Sequence, residues 1–256
     1  MARVFITGSA DGLGLMVGQL LADQGHKVVL HARNDARAAD AKKAAPKAEA
    51  VAVGELGDVA AAKGLAAKVN ALGRFDAVIH NAAVGFGESR RVTKDGAPHV
   101  FAINTLAPYI LTALIERPKR LVYLSSGMHT RASANLDDIL WRKRAWDGSS
   151  AYAESKLHDV MLAFAVARLW PDVLSNAMTP GWVPTKMGGA GAPDDIGQAH
   201  LTQAWLATSD DPAALTTGGY FYHLKRREPN PQAGDVALQD RLIDICREIS
   251  GVGLPS

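Results

Sequence analysis

Short apolar runs alternate with longer helical patterns along nearly the whole chain, and this alternation limits the possible folds more than any other feature. Residues 4–7 and 28–31 have the composition of buried strands and enclose a helical pattern at residues 13–24. Further strands are predicted at residues 50–53, 75–80, 120–124, 173–177 and 219–222, and further helices at 36–45, 58–72, 98–116, 151–170 and near the C-terminus. The strands are apolar throughout, which predicts an α/β fold whose seven-stranded parallel sheet is flanked by helices on both faces.

Length and composition favour a single domain. The chain has 256 residues, 48% of them hydrophobic, and no linker divides it, so we predict one domain over residues 1–256. A net charge of +2 without a long basic run argues against nucleic acid or a membrane surface as a partner. With one cysteine, Cys246, and no apolar run longer than residues 160–167, we expect a cytoplasmic protein without an internal disulfide or a bound metal.

Residues 127–151 interrupt the alternation. This polar segment joins a strand to a helix with far more chain than such connections need, so it is either a functional flap or a disordered insertion. It contains Trp141-Arg142-Lys143-Arg144-Ala145-Trp146, whose basic cluster is either a solvated face or a contact for an acidic substrate or partner.

A glycine-rich segment, residues 7–14, lies between the first strand and the first helix. Glycines there allow close approach of a pyrophosphate to backbone N–H groups at the positive end of the helix. A plain turn would have similar composition, but the position within a βαβ unit indicates a dinucleotide-binding, Rossmann-type doubly wound domain. The predicted pyrophosphate-binding residues are Gly8, Ser9, Asp11, Gly12, Leu13 and Gly14.

The spacing Thr-Gly-x-x-x-Gly-x-Gly resembles the short single-domain branch of the short-chain dehydrogenase/reductase family. The family's other landmarks follow in order: Asn81-Ala82-Ala83, Asn104, Ser125-Ser126, Tyr152-x-x-x-Lys156 and Pro180-Gly181-Trp182-Val183-Pro184-Thr185. Ser126 and Tyr152 are 26 positions apart, an insertion that resembles the retinol-dehydrogenase-like subgroup. The C-terminal Gly218-Gly219-Tyr220-Phe221 and the amphipathic helix after it are similar to that subgroup too.

The end of the second strand carries the signal for cofactor choice. A carboxylate that would bind the free ribose 2'-hydroxyl of NAD is expected there, but the position holds Ala32. Arg33 next to it, followed by Asn34, can pair with a 2'-phosphate, so NADP(H) is favoured over NAD(H). Asp11 argues the other way, because a carboxylate near the phosphate would repel it.

The resemblance implies further cofactor contacts. Glu55 and Leu56 would lie at the adenine, and Asn81-Ala82-Ala83 would line the crevice. Pro180, Gly181, Trp182 and Val183 would hold the nicotinamide end, with Thr185 bonding the carboxamide. His80 is interpreted as a packed histidine at a strand end rather than a catalyst.

Tyr152 and Lys156 are four residues apart on one predicted helix, so their side chains share a face. A tyrosine ordinarily titrates near pH 10, and acid/base work near neutrality requires that value to fall by about 3, which a nearby ammonium helps to supply. The resemblance implies that Ser126, or alternatively Ser125, bonds the substrate oxygen. It also implies that Asn104 anchors a water that relays protons.

These observations predict an NADP(H)-dependent oxidoreductase that interconverts a carbonyl and an alcohol by hydride transfer. The alternative is a catalytically silent dinucleotide-sensing regulatory or scaffold protein, against which the intact Tyr152 and Lys156 argue. An epimerase or dehydratase of the family would need a longer C-terminal substrate domain.

Residues 127–151 and a loop at about 186–200 are expected over the substrate. Tryptophans and a methionine there would either line a pocket for an apolar carbonyl or fasten the flap to the body: Trp141, Trp146, Trp182 and Met187. The family assembles through the helices that carry Asn104 and Tyr152. These two helices carry more apolar residues than packing against one face of the sheet requires, which predicts a homodimer or homotetramer. The residues are Ile110, Leu114, Leu157, Met161 and Phe164.

Overall fold

The computed structural model describes residues 1–255, and an eight-stranded sheet runs through its centre in the order β3-β2-β1-β4-β5-β6-β7-β8. The strands are β1 (Arg3–Ile6), β2 (Lys27–Ala32), β3 (Ala50–Val53), β4 (Ala77–His80), β5 (Arg120–Leu124), β6 (Leu174–Met178), β7 (Tyr220–Tyr222) and β8 (Lys225–Arg227). The first seven are parallel, which confirms the predicted sheet. The eighth pairs antiparallel with β7 at the edge, and its three exposed basic residues carry no apolar signal that would have predicted it.

Helices cover both faces of the sheet. They are α1 (Gly12–Asp23), α2 (Asp35–Ala44), α3 (Val59–Ala71), α4 (His99–Phe101), α5 (Ala107–Leu114), α6 (Gly148–Leu169), α7 (Ile196–Ala199), α8 (Leu201–Thr208) and α9 (Val236–Ser250). Successive residues of a strand point to opposite faces, so Phe5 joins the core under α3, α5 and α6, whereas Val4 and Ile6 join the core under α1 and α8. The chain is therefore the predicted single doubly wound domain.

The strand order reverses between β1 and β4, because β2 and β3 lie on one side of β1 and β4 to β7 lie on the other. Connections that leave neighbouring strands in opposite directions open a crevice at the carboxyl ends of the strands. The segments after β1, β4, β5 and β6 all begin at this edge. They are the segments in which the sequence predicted cofactor and catalytic residues.

A five-residue π-helical stretch, Ala102–Leu106, connects α4 to α5. Such bulges turn one side chain out of the regular helical register. Here Asn104 lies within the bulge and is fully buried. The single helix predicted at residues 98–116 is thus three consecutive helical pieces.

The C-terminal helix α9 packs against α6 and α5. Leu242 and Cys246 of α9 are fully buried, and the Tyr109 hydroxyl donates to the Val252 carbonyl at 2.7 Å. Burial raises the pKa of the Cys246 thiol, in keeping with a packing role.

The homo-oligomer was predicted from five apolar residues, and three of them, Ile110, Leu157 and Met161, are buried inside the chain. The excess apolar surface inferred from the sequence is therefore partly filled by the chain's own α9. Leu114 and Phe164 are only partly buried, and the homodimer or homotetramer stays a prediction.

Residues 127–151 are folded. They contain two 3-10 turns, Gly127–Arg131 and Leu136–Asp138, and a buried tryptophan, Trp141, over which the Arg144 guanidinium lies at 3.9 Å from the ring centre. Arg144 also pairs with Asp138 at 3.1 Å and Glu154 at 2.6 Å, so this part of the basic cluster is not a solvated face. Within residues 1–255 no helix combines the length and the apolar character needed to cross a membrane.

Candidate active site

The glycine-rich loop has a backbone that other residues would not fit. Gly8 has a φ of +60°, and a Cβ there would lie 2.7 Å from the Cα of Ala82. A Cβ on Gly14 would collide with the Asn81 side chain and lie 2.6 Å from the Gly8 carbonyl oxygen. Gly12, with a φ of +55°, faces open space, so the loop is tight beneath and open above.

Asn81, just after β4, supports this loop from below. Its side-chain nitrogen donates to the carbonyls of Thr7 at 2.9 Å and Gly8 at 3.0 Å. The Thr7 hydroxyl accepts in return from the backbone N–H groups of Asn81 at 2.9 Å and Ala82 at 3.0 Å. The segments after β1 and β4 therefore form one hydrogen-bonded unit, with Ala83 half-buried beside it.

His31, near the end of β2, is a supporting residue that the sequence reasoning missed. Its Nδ1 accepts from the Gly8 N–H at 2.9 Å, which leaves Nε2 to donate to the Gly54 carbonyl at 2.8 Å. The Ser9 hydroxyl accepts from the His31 N–H and donates to Ile6, both at 2.8 Å. Burial lowers the pKa of His31, so the ring is neutral and its tautomer is fixed. The signal was a polar residue inside an apolar strand.

Charges gather where the glycine loop meets the end of β2. Arg33 is exposed, and the Asn34 side chain caps α2 by accepting from the Arg37 N–H at 3.0 Å. The Asp11 carboxylate pairs with Arg37 at 2.6 Å and with Lys186 at 2.8 Å. These cations, Lys186 first, hold the pKa of Asp11 below its ordinary value. The repulsion expected from Asp11 is therefore offset by two cations that the sequence reasoning did not associate with it.

At the end of β3 the two predicted residues differ in exposure: Glu55 is exposed, and Leu56 is buried in the core.

The segment after β6 folds back over the crevice. Gly181 has a φ of +89°, and the Trp182 N–H donates to Asp194 at 2.6 Å. The Thr185 hydroxyl accepts from the Gly188 N–H at 3.1 Å. Pro180 is half-buried, Val183 is buried, and the Trp182 side chain is exposed.

Two side chains of the next loop contact the segments that follow other strands. Lys186 contacts Asp11 of the glycine loop, as described above. Met187 packs against Gly85, where an added Cβ would lie 2.8 Å from the methionine Cγ. The loop therefore contacts the segments after β1 and β4.

Tyr152 and Lys156 lie one turn apart near the start of α6, which Asp147 caps by accepting from the Ser150 N–H at 2.7 Å. Both are buried, and the Lys156 Nζ lies 5.8 Å from the centre of the Tyr152 ring. Phe86, from the segment after β4, meets the same ring edge-on at 6.2 Å. The structure brings the predicted phenol and ammonium together.

Lys156 has two further partners. Its Nζ donates to the Leu124 carbonyl at 2.7 Å and to the Asp159 carboxylate at 2.8 Å, and both charged side chains are 3% exposed. Burial raises the pKa of Asp159 to about 7, and the Lys156 charge opposes that rise. Sequence reasoning missed Asp159, although an acid three residues after a lysine on a mostly apolar helix is a readable signal.

The two serines after β5 have different partners. The Ser125 hydroxyl is buried and donates to the Lys156 carbonyl at 2.7 Å. The Ser126 hydroxyl is half-buried, accepts from the Met128 N–H at 3.3 Å and donates to no residue of the described range 1–255. Ser126 is therefore the serine with a hydroxyl proton left for a ligand.

Asn104 joins the β4 segment to α6. Its amide accepts from the Val84 N–H at 2.8 Å and donates to the Val84 carbonyl and the Ser155 hydroxyl, both at 3.0 Å. Ser155 in turn donates to the Tyr152 carbonyl at 2.7 Å. Asn104 thus fixes the helical turn that carries the phenol.

His80 is packed as predicted. Its Nε2 bonds the Thr112 hydroxyl at 3.0 Å, its ring stands 4.7 Å from that of Tyr123, and burial lowers its pKa to about 3. A neutral, enclosed imidazole of this kind is a core residue.

Comparison with known proteins identifies the family. A sequence profile described as short chain dehydrogenase matches residues 2–127. An uncharacterized oxidoreductase of Emericella nidulans is 46% identical over 260 aligned residues, covering 100% of this chain and 99% of the relative. The chain is a short-chain dehydrogenase/reductase. A short-chain dehydrogenase of Penicillium rubens is 41% identical over the full length of both chains.

More distant proteins agree with this assignment. Human retinol dehydrogenase 13 is 27% identical, with 99% of this chain and 86% of that protein covered, in keeping with the resemblance to the retinol-dehydrogenase-like subgroup. A crystal structure of an uncharacterized Mycobacterium paratuberculosis protein has a TM-score of 0.86 at 23% identity, over 100% and 96% of the two chains. A blue fluorescent protein from a metagenomic library, solved with NADPH, has a TM-score of 0.68 at 21% identity over 86% and 95%.

Membership in this family makes the chain an oxidoreductase of a class that binds nicotinamide dinucleotides and acts on small molecules.

Proposed function

We propose that this short-chain dehydrogenase/reductase is an NADP(H)-dependent enzyme that interconverts a carbonyl and an alcohol, with Tyr152 as the acid/base. The observation that carries the proposal is the buried pair at the start of α6, where the Lys156 Nζ lies 5.8 Å from the Tyr152 ring centre. Both residues belong to the helix that follows β5, beside the carboxyl edge of the sheet. A phenol and an ammonium so placed can exchange a proton with a bound carbonyl.

The glycine loop fits a dinucleotide. Gly8 and Gly14 admit no Cβ because backbone and side-chain atoms lie beneath them, whereas the space above Gly12 is open. The N-terminus of α1 points its unpaired N–H groups into that space, and such groups favour a pyrophosphate. The pyrophosphate would rest on Gly8, Ser9, Asp11, Gly12, Leu13 and Gly14.

The preference for the 2'-phosphorylated cofactor rests on charge. Arg33 is exposed at the end of β2, with Ala32 in place of an acid, and Arg37 and Lys186 offset the charge of Asp11. An arginine fork matches the geometry of a phosphate. The NADPH complex of the metagenomic blue fluorescent protein is consistent with this choice.

The remaining cofactor contacts are assigned from where each residue lies along the carboxyl edge of the sheet. Asn34 would lie beside the ribose, Glu55 and Leu56 beside the adenine, and Asn81, Ala82 and Ala83 along the crevice. The segment after β6 would hold the nicotinamide end through Pro180, Gly181, Trp182, Val183 and Thr185.

The bound dinucleotide would supply or accept the hydride, and the chain would manage the proton. In the reductive direction Tyr152 donates its phenolic proton to the substrate oxygen, and Lys156 stabilises the phenolate that remains. Ser126 donates its hydroxyl proton to the same oxygen and orients the carbonyl. Asn104, which holds the turn of Tyr152 and Ser155, would anchor the water that returns a proton to the site.

The substrate site is proposed at an open cavity of about 860 Å³ between residues 127–135 and 141–154. Its lining includes Gly127 and Ala153, the chain neighbours of Ser126 and Tyr152, but neither Ser126 nor Tyr152 itself. A cavity of this size suits a medium-sized carbonyl compound. Residues 127–151 would then act as the substrate flap and residues 186–200 as the second loop over the site.

The tryptophans of the flap mainly anchor it to the rest of the domain. Trp141 is buried, and its ring meets that of Trp146 at 5.2 Å. The Trp146 Nε1 donates to the Glu88 carbonyl at 3.1 Å. Trp182 and Met187, by contrast, are exposed beside the crevice and give it apolar surface.

The test is an NADPH oxidation screen over aliphatic, aromatic, retinoid and steroid carbonyls, preceded by fluorescence titration with NADPH and NADH. We expect tighter binding of NADPH and turnover of at least one apolar aldehyde or ketone. Equal binding of the two cofactors would contradict the cofactor assignment. NADPH binding without turnover of any carbonyl would favour a silent dinucleotide-binding protein.

A further inference from the structure

The buried ion pair between Lys156 and Asp159 has no part in the reaction scheme above. We propose that Asp159 is a positioning residue that keeps the Lys156 side chain protonated and holds its ammonium beside the Tyr152 ring. This inference rests on the proposed function of Tyr152 and Lys156. It adds a residue whose role is to maintain the charge on which the phenol depends.

Enclosure makes the carboxylate necessary. Lys156 is 3% exposed, and an ammonium removed from water loses its proton readily unless an anion or several acceptors stabilise it. Of its two acceptors within residues 1–255, the Leu124 carbonyl is neutral, and only Asp159 can carry a negative charge. Burial raises the pKa of Asp159 to about 7, so the carboxylate is anionic in the alkaline range in which a phenolate forms. The charge of Lys156 therefore depends on Asp159.

Geometry fixes the ammonium on both sides. Asp159 follows Lys156 by three residues on α6, so the two share a face, and their contact is 2.8 Å. The Leu124 carbonyl at the end of β5 holds Nζ from the sheet side. The Ser125 hydroxyl pins the Lys156 backbone by donating to its carbonyl at 2.7 Å.

No other titratable group replaces Asp159. From β5, Tyr123 faces the carboxylate, and both burial and Asp159 raise its pKa, so it is neutral at working pH. Behind it on β4, His80 is neutral because burial lowers its pKa. The other buried titratable groups near α6 are also neutral, because burial raises the thiol and phenol pKa values and lowers the imidazole values: Cys246 of α9, Tyr220 of β7, and His129 and His158. The charged residues of α9 are exposed, and one of them, Asp240, pairs with Arg168 of α6.

Loss of the Asp159 carboxylate should raise the pH at which the Tyr152 phenolate forms. Asp159→Asn leaves a buried ammonium with neutral partners, so Lys156 gives up its proton more easily. The Tyr152 phenolate then loses its stabilising charge and forms at higher pH. A purely structural role of Asp159 would weaken folding without moving that pH.

Ultraviolet titration of phenolate absorbance measures this pH without cofactor or substrate. The chain has five tyrosines. Burial raises the pKa of four of them, Tyr109, Tyr123, Tyr220 and Tyr222. We expect the first phenolate to come from the fifth, Tyr152. Its absence in Tyr152→Phe checks that assignment.

We expect Asp159→Asn and Lys156→Met each to raise the midpoint of the first phenolate by about one pH unit or more. The double variant should match Lys156→Met, because Asp159 acts through the lysine, and Asp159→Glu should restore most of the wild-type midpoint. The pH profile of kcat should move in the same direction.

Three results would overturn the proposal: an unchanged midpoint in Asp159→Asn, a lowered one, or a further shift when Asp159→Asn is added to Lys156→Met. If either single variant does not fold, the double variant, which contains no unpaired buried charge, is compared with the wild type instead, and an unchanged or lowered midpoint there would overturn the proposal. Absence of wild-type turnover, or retained turnover in Tyr152→Phe, would instead refute the proposed function.

Discussion

Two ion clusters lie beside the crevice, and they differ in their access to water. On the glycine-loop side, the side chains of Asp11, Arg37 and Lys186 are 48%, 30% and 85% exposed. On the α6 side, Lys156 and Asp159 are each 3% exposed. Similar contacts of 2.6 to 2.8 Å therefore have different physical consequences, because water screens the first cluster and the protein interior does not screen the second.

Under the proposed function, the exposed cluster lies at the phosphate end of the cofactor and the buried pair at its nicotinamide end. An exposed cluster can exchange partners when a phosphate arrives, at little cost in stability. A buried pair holds one geometry and one charge state, which proton transfer requires.

Lys156→Met should destabilise the fold by about 3–5 kcal/mol, because it leaves a buried carboxylate without its cation. Lys156→Met combined with Asp159→Leu should recover most of that loss, since no unpaired charge remains. Urea denaturation gives both values. A loss below about 1 kcal/mol for the single variant would show that the α6 pair behaves like a surface pair.

His158 on α6 should make the fold sensitive to acid. Burial lowers its pKa to about 4, so the unfolded chain takes up a proton below pH 6.5 that the folded chain refuses until about pH 4. Stability is therefore lost as the pH falls through that range, by about 3 kcal/mol from this residue.

Urea denaturation at pH 7 and pH 4.5 measures the acid effect. His158→Gln should reduce the difference in the free energy of unfolding between the two pH values. Equal pH dependence in the wild type and His158→Gln would contradict the account.

Local signals in the sequence predicted much of the fold and part of the site. The glycine loop and the spacing of Tyr152 and Lys156 could be read because each depends on neighbours within one turn or one helix. The sequence marks His31 as a polar residue inside an apolar strand, but the contacts of His31 and Lys186 could not be read, since their partners Gly54 and Asp11 are 23 and 175 positions away.

Long-range packing accounts for the other differences. The amphipathic pattern of α9 predicted a helix but not its docking on α6, which buries surface that had suggested an assembly. Strand β8 is basic and forms only because β7 offers an open edge. Light scattering will test whether copies of the chain associate through other surfaces.

Arg33→Ala should weaken NADPH binding by about 30-fold, or about 2 kcal/mol, as expected for the loss of a charge-assisted hydrogen bond. NADH binding should be unchanged, because NADH has no 2'-phosphate. Fluorescence titration measures both. Arg74→Ala, before β4 at the opposite edge of the sheet, is the control; an equal loss there would indicate a non-specific charge effect.

Asp11→Asn should have the smallest effect, below about 1 kcal/mol in the free energy of unfolding, and high salt should reduce it further. We expect a small effect because the side chains of Asp11, Arg37 and Lys186 are all accessible to water. A salt-independent loss above about 2 kcal/mol would place this cluster in the same class as the α6 pair.

The role of Tyr152 is tested by the rate of NADPH-dependent carbonyl reduction by Tyr152→Phe, with Tyr109→Phe, whose lost hydroxyl bonds the Val252 carbonyl beside α9, as the matched control. We expect Tyr152→Phe to bind NADPH normally but to lose about 10²- to 10⁴-fold in kcat, while the control keeps its rate. A Tyr152→Phe enzyme within about tenfold of the wild type would show that another group delivers the proton.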